Sequence, residues 1–305
     1  MSILKSLGIT ATVSARARQS AESEGKFTKE ALHDAADRQK VAAYMREHSA
    51  PWLRAWYILS LETGWRTADV CRLTWNDIDL DTGTATIVVA KQTKAAQSRA
   101  ARAVVLRYIE QDKQAAIMRG DIPAWQRLTR IAPDQYVQAS PDGDMLAEVQ
   151  QAANDAPPKI DRKQLSPQLV AELQRMKQGS PFEFVFDRRI IGSNRAAGIR
   201  PGENEHVSRQ AVWRLMRDVF MTALQVVPVV TKVVRAGREL LVRVMRYSAY
   251  SSRKTSLSLV ATGAGKIDLA AAAAFIGHVD TKVTERYVLP GMKQAIPAAT
   301  LADFW

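Results

Sequence analysis

The chain has 305 residues, enough for one large domain or two ordinary ones; with 47% hydrophobic and 24% charged residues it reads as a folded protein rather than a disordered one. A formal charge of +12 favours a polyanionic partner, nucleic acid first among them. Cys71 is the only cysteine, which excludes an intrachain disulfide and a thiolate cluster, and His33, His48, His206 and His278 lack metal-ligand spacing, so neither a metal nor a cofactor is expected.

In chain order, residues 1–25 are polar and small and read as a loosely held arm. A helical pattern runs from Lys29 to about Glu47, with Ala and Leu on one face. Pro51 opens a second helix that Gly64 can end in a left-handed cap. Thr67 can cap a short third helix, with Asp69 in its first turn where the helix dipole favours negative charge. After Asn76-Asp77 the period changes: Ile78-Asp79-Leu80, the turn Asp81-Thr82-Gly83, and TATIVVAKQTK read as two short strands joined by a turn. Residues 96 to about 160 are again helical at first, then looser, and leave through the loop NDAPPK.

LSPQLVAELQRMK begins another helix with Pro167 near its start, and FEFVFD reads as a short strand. GSNRAAGIRPGENEH is a Gly-rich basic loop, and Ser208 caps an amphipathic helix. The last third carries ELLVRVMRYSAYSSRKTSLSLVATGAG, the alanine-rich DLAAAAAFIGH, and DTKVTERY, before a tail ending LADFW. The fold class is mainly α with a small antiparallel β-sheet, an α+β protein. The amino terminus has no long apolar core after its first lysine, and no run approaches the ~18 apolar residues of a membrane span. The expected setting is therefore cytoplasmic, with no membrane partner.

Three segments carry candidate chemistry, and each has an ordinary structural reading beside the functional one. Arg66 directly precedes a helix start, where a guanidinium and free backbone N–H groups can share a phosphate oxygen; alone it reads as a surface arginine. Tyr250-Ser251-Ser252-Arg253 opens a helix that Ser251 or Ser252 can cap, with Arg253 in its first turn. Gly277-His278 lies nine residues before Tyr287, which by itself is a half-buried aromatic.

Taken together, these segments resemble the tyrosine recombinases of the phage-integrase type. TGWRTADVCRLTWNDIDL resembles the family's first arginine box, and FIGHVDTKVTERY its final L-G-H and T-x-x-Y box. The middle box, normally H-x-x-R, stands here as Tyr250-Ser251-Ser252-Arg253. The family places a lysine on the hairpin after the first box; AKQTK supplies Lys94, with Lys91 as the competing choice. The resemblance covers roughly residues 40–110 and 160–290. It implies the tyrosine recombinase catalytic-domain fold at 51–305 with a helical insertion at about 96–160. Residues 1–50 would form a short arm and helix in place of a full core-binding region.

The same resemblance implies the roles. Arg66 and Arg253 clamp the phosphate oxygens, where the transition state gathers charge. Tyr287 is the nucleophile and forms a phosphotyrosine that conserves the bond energy without ATP. The lysine protonates the leaving 5′-hydroxyl, and His278 donates to a nonbridging oxygen. Tyr250 either donates a hydrogen bond, since an unperturbed phenol titrates near ~10, or packs in the core. The implied partner is double-stranded DNA, bound by a homotetramer on two duplexes with or without accessory proteins, the free protein being mostly monomeric. The protein would be bacterial, phage- or plasmid-encoded and associated with the nucleoid. A telomere resolvase, a type IB topoisomerase, or a DNA-binding protein of the same fold with reduced catalysis are the alternative uses. The insertion is either a DNA or protein clamp or structural decoration.

Overall fold

The structure, a computed structural model, describes residues 30–139, 142–191, 206–235, 238–262 and 268–276, together with 281 and 284. It is mainly helical with two small antiparallel sheets. Residues Val88–Asp161 form one compact unit, and the described residues of Gly25–Ile87 and Arg162–Trp305 form the other. Among the described residues no helix is long and apolar enough to cross a membrane.

In the larger unit, helix α1 runs Ala35–His48, shorter at its start than the pattern from Lys29 predicts. The reason is competition for the backbone donors. Glu30 N–H donates to the Arg246 carbonyl at 3.0 Å and Leu32 N–H to Thr255 Oγ1 at 2.8 Å, so this stretch is strapped to distant residues instead of coiling. Asp34 then accepts from Ala36 N–H at 2.8 Å and starts the helix. Helix α2, Pro51–Thr63, begins with proline at its first turn and ends at Gly64 with φ +63°, as its sequence predicts. Ten of its side chains are buried, among them Trp52, Trp56, Tyr57 and Leu61. A helix apolar on nearly every side belongs at the centre of a core.

Helix α3 is the short turn Thr67–Cys71. Its cap is Arg66, not Thr67, and no side chain bonds the cap: Thr67 already has helical geometry and is buried. A capping box at Thr74 and Asp77 then directs the chain into β1, Ile78–Asp79, which pairs antiparallel with β2, Thr84–Val88. Gly83, at φ +68°, makes the turn between them. The third strand, β3 at Ile160–Gln164, lies beside β2.

Ser166 caps helix α8, Pro167–Gln178, and its hydroxyl also donates to Glu62 on α2 at 2.6 Å. FEFVFD does not form the predicted strand. It makes only isolated bridges, Thr74 with Phe184 and Asp187 with His206, because two different segments reach it in turn. Helix α9, Arg209–Leu224, is capped by Ser208 as expected. A two-stranded ribbon that the sequence reading leaves unassigned follows, β4 Val229–Arg235 with β5 Arg238–Val244. Helices α10, Ala249–Thr262, and α11, Leu269–Ile276, complete the unit; Phe220 sits between Tyr57 and Tyr247, with ring centroids at 6.2 and 5.7 Å.

The smaller unit is built on α4, Ala90–Met118, followed by α5 Ile122–Arg130, α6 Pro133–Ala139 and α7 Gly143–Asp155. Val105, Ile109, Tyr136, Val137, Met145 and Val149 form its own core. The stretch that reads as loose in sequence thus contains two helices, α6 and α7. AKQTK is not on a strand either: the ladder ends where Val89 N–H donates to the Lys159 carbonyl, and Ala90 starts α4. Ala, Lys and Gln after the β-branched run are good helix formers and poor strand formers.

Candidate functional site

The site is assembled around one glycine. Gly64 carries the left-handed bend between α2 and α3, two residues before Arg66. An added Cβ there would lie 2.8 Å from Phe275 Cε1, 3.1 Å from Ser256 Oγ and 3.3 Å from Ile276 Cγ2. So α10 and α11 close on the end of α2 with no room for a methyl group. The Gly64 carbonyl accepts a hydrogen bond from Nη1 of Arg253 on α10. The first and middle arginine boxes, far apart in sequence, meet at this carbonyl.

Arg253 is only 4% exposed, whereas the Arg66 side chain is 29% exposed and can face a ligand. Arg66 Nη1 stands 3.9 Å from Asp69 Oδ2 one turn along α3. Burial raises the Asp69 carboxyl above its ordinary range, while Arg66, Arg253 and Arg72 pull it back down. Three guanidinium groups therefore act on one carboxylate, leaving a positive surplus. A corner of that kind attracts phosphate, since bidentate guanidinium donors match its oxygens.

Helix α10 owes its start to Ser248, not to Ser251 or Ser252. Ser248 Oγ accepts from Tyr250 N–H at 3.2 Å, and Ser251 Oγ returns the favour by accepting from Ser248 N–H at 3.0 Å. Arg253 consequently sits in the second turn rather than the first. Tyr250 is half-buried and precedes Arg253 by three residues, on the same side of the helix. Ser252 hydroxyl donates to the Ala249 carbonyl at 2.7 Å, one of several local bonds that make this unusually polar buried helix tolerable. Nearby, Lys254 is also buried, and desolvation lowers its ammonium from the usual range against the pull of Glu30. The Cys71 thiol is buried as well and pushed up to about 12 by desolvation, so it is not a reactive nucleophile.

The structure thus brings Arg66 and Arg253 together and sets Tyr250 on the helix of the second. Lys94 lies exposed in the opening turns of α4, in the smaller unit, and Lys91 is on the same helix. His278, Tyr287 and the tail LADFW lie outside the described residues. Two residues to which the sequence reading gave no role in the site lie at or next to the corner. Asp69 was legible only as a helix-dipole partner, and Lys163 sits in IDRKQ, too polar to announce a strand. Its Nζ donates to the Phe275 carbonyl and lies 4.1 Å from the centroid of that ring.

A helical unit with a small sheet and two arginines converging behind a helix bend is suited to hold a phosphodiester. The family model described as the phage integrase family matches residues 30–123, which carry α1, α2, Arg66 and the β1–β2 hairpin. This segment is similar to that family, whose members are recombinases acting on DNA. No curated protein and no solved structure matches the chain.

Proposed function

We propose that the protein is a site-specific DNA recombinase that cleaves and rejoins DNA through a 3′-phosphotyrosine on Tyr287. The observation that carries this reading is the arginine corner: Arg253 anchored on Gly64, Arg66 beside it, within a fold whose first box lies in the phage integrase segment. Phosphodiester attack fails in water because the diester is anionic and its transition state concentrates charge on the nonbridging oxygens. Two fixed guanidinium groups offset that charge in place, at no reorganisation cost during the reaction. Tyr287 attacks phosphorus as its phenolic proton passes to water, and the bond to the 5′-oxygen breaks. A lysine returns a proton to that oxygen, and the roles reverse on religation. Lys94, or Lys91 in its place, is the lysine we assign. His278 donates to a nonbridging oxygen, and Tyr250 replaces the usual histidine as a hydrogen-bond donor.

Synapsis of two duplexes by four copies, with residues 292–305 docking on a neighbouring copy, completes the proposal. The test is a nicked suicide duplex that traps the covalent adduct. The wild-type chain should form the adduct in EDTA without nucleotide, and Tyr287→Phe should bind the duplex yet form none. An adduct that survives Tyr287→Phe would overturn the assignment, and a strict magnesium requirement would point to a nuclease.

A further inference from the structure

The lysine on β3 has a place in the site that the family roles do not cover. Lys163 lies on the half-buried side of its strand, and its ammonium donates to the carbonyl of Phe275 in the last turn of α11. It also lies over the Phe275 ring at 4.1 Å, within cation–π range. A cation that donates to a backbone carbonyl and also lies over the ring of the same residue holds both groups in place. The ring it holds is the one whose edge occupies the space where a Gly64 side chain would be, and the Gly64 carbonyl is where Arg253 is anchored. An unbroken line of contacts therefore runs from β3 through Phe275 and Gly64 to the buried guanidinium.

We propose that Lys163 is a positioning residue for the arginine corner, pinning the carboxyl end of α11 to β3 so that Phe275 holds Gly64 and Gly64 holds Arg253. This rests on the recombinase reading above. Lys163 acts through other groups: among the described residues its ammonium is directed at a helix carbonyl and a ring. Without it, the α11 carbonyl and the ring both lose their partner and the last turn of α11 is free to shift. Displacements near 1 Å in a preorganised site cost about a hundredfold in rate. Ile276 is followed in sequence by Gly277-His278, so the same pin ends directly before the final box.

The experiment compares Lys163→Met and Lys163→Arg with wild type, on the nicked duplex and on the same duplex with a bridging sulfur in place of the 5′-oxygen. A thiolate leaves without a proton, so the sulfur duplex bypasses any general acid. Lys163→Met should lose cleavage by roughly a hundredfold on both duplexes, with DNA affinity unchanged. Lys163→Arg should recover most of it, because a guanidinium can reach the carbonyl and stack on the ring. Amide hydrogen exchange of residues 269–276 in the free proteins should accelerate in Lys163→Met and stay at the wild-type rate in Lys163→Arg. Restoration of the methionine variant by the sulfur duplex would make Lys163 the general acid and overturn the positioning role. Wild-type cleavage by the methionine variant, or unchanged exchange, would overturn it too. The exchange result decides the pin even for a wild-type chain that forms no adduct, an outcome that would sink only the recombinase reading.

Discussion

Replacing Gly64 with alanine tests the centre of the site most directly. The backbone there has φ +63°, which costs an L-residue about 1–2 kcal/mol. The new methyl would also stand 2.8 Å from Phe275 Cε1, 3.1 Å from Ser256 Oγ and 3.3 Å from Ile276 Cγ2. None of these is the loose end of a long side chain. The ring is held by Lys163, and the other two belong to buried faces of packed helices. Overpacking of this kind adds about 1–3 kcal/mol. The expected loss is therefore about 2–5 kcal/mol, or roughly 4–20 °C in Tm at ~2–4 °C per kcal/mol for a unit of this size.

Urea and thermal unfolding would measure it, with Gly120→Ala as the comparison. Gly120 has φ +70° but nothing within 4 Å of an added Cβ, so that variant bears the backbone cost alone. Each glycine is best followed by hydrogen exchange in its own unit. Gly64→Ala should also cut DNA cleavage more than DNA binding, because the Arg253 anchor moves with the bend. A Gly64→Ala protein no less stable than Gly120→Ala would refute the claim that α10 and α11 close on this carbon.

Two further outcomes are expected. Burial holds the His33 imidazole below its usual range, with Arg38, Lys254 and Arg246 adding to the effect and Glu30 opposing it. The folded state then binds that proton less tightly than the unfolded chain. The stability this provides is complete above the ordinary imidazole value of ~6.5 and is lost as pH falls through the lower folded one. Urea midpoints measured across that interval should decline with acid in the wild-type chain and decline less in His33→Gln; parallel curves would rule the residue out. On DNA, a chain of charge +12 that neutralises several phosphates should bind more weakly as salt rises, linearly in log–log form. Arg66→Ala should reduce that slope by about one unit, and an unchanged slope would mean that Arg66 does not face the backbone.

Much of the architecture is written in local signals. Proline at the first turn of α2, glycine at its end, Ser166 and Ser208 before their helices, and the β-branched run Thr84–Val88 all act within a few residues of themselves. Short-range terms of this kind survive in any tertiary setting, so α2, β2, α8 and α9 are readable in advance. The arginine boxes are readable for another reason, since their wording resembles a family pattern. Reading ahead failed where local preference was weak or outvoted. The residues before Asp34 have helical character but give their donors to Arg246 and Thr255, and FEFVFD has strand character but meets a different neighbour at each end.

IDRKQ has almost no strand preference, yet it becomes β3 because β2 offers it an unpaired edge. The identities of Arg66 and Arg253 as candidates were thus determined by sequence, down to the residue. What only the tertiary structure decided is how Arg253 is held. Its guanidinium meets the carbonyl of Gly64, and the ring of Phe275 under Lys163 closes the space where a side chain would be. Those contacts join segments more than a hundred residues apart. No window along the chain contains both partners, and the contacts exist only once α10 and α11 have packed on the end of α2.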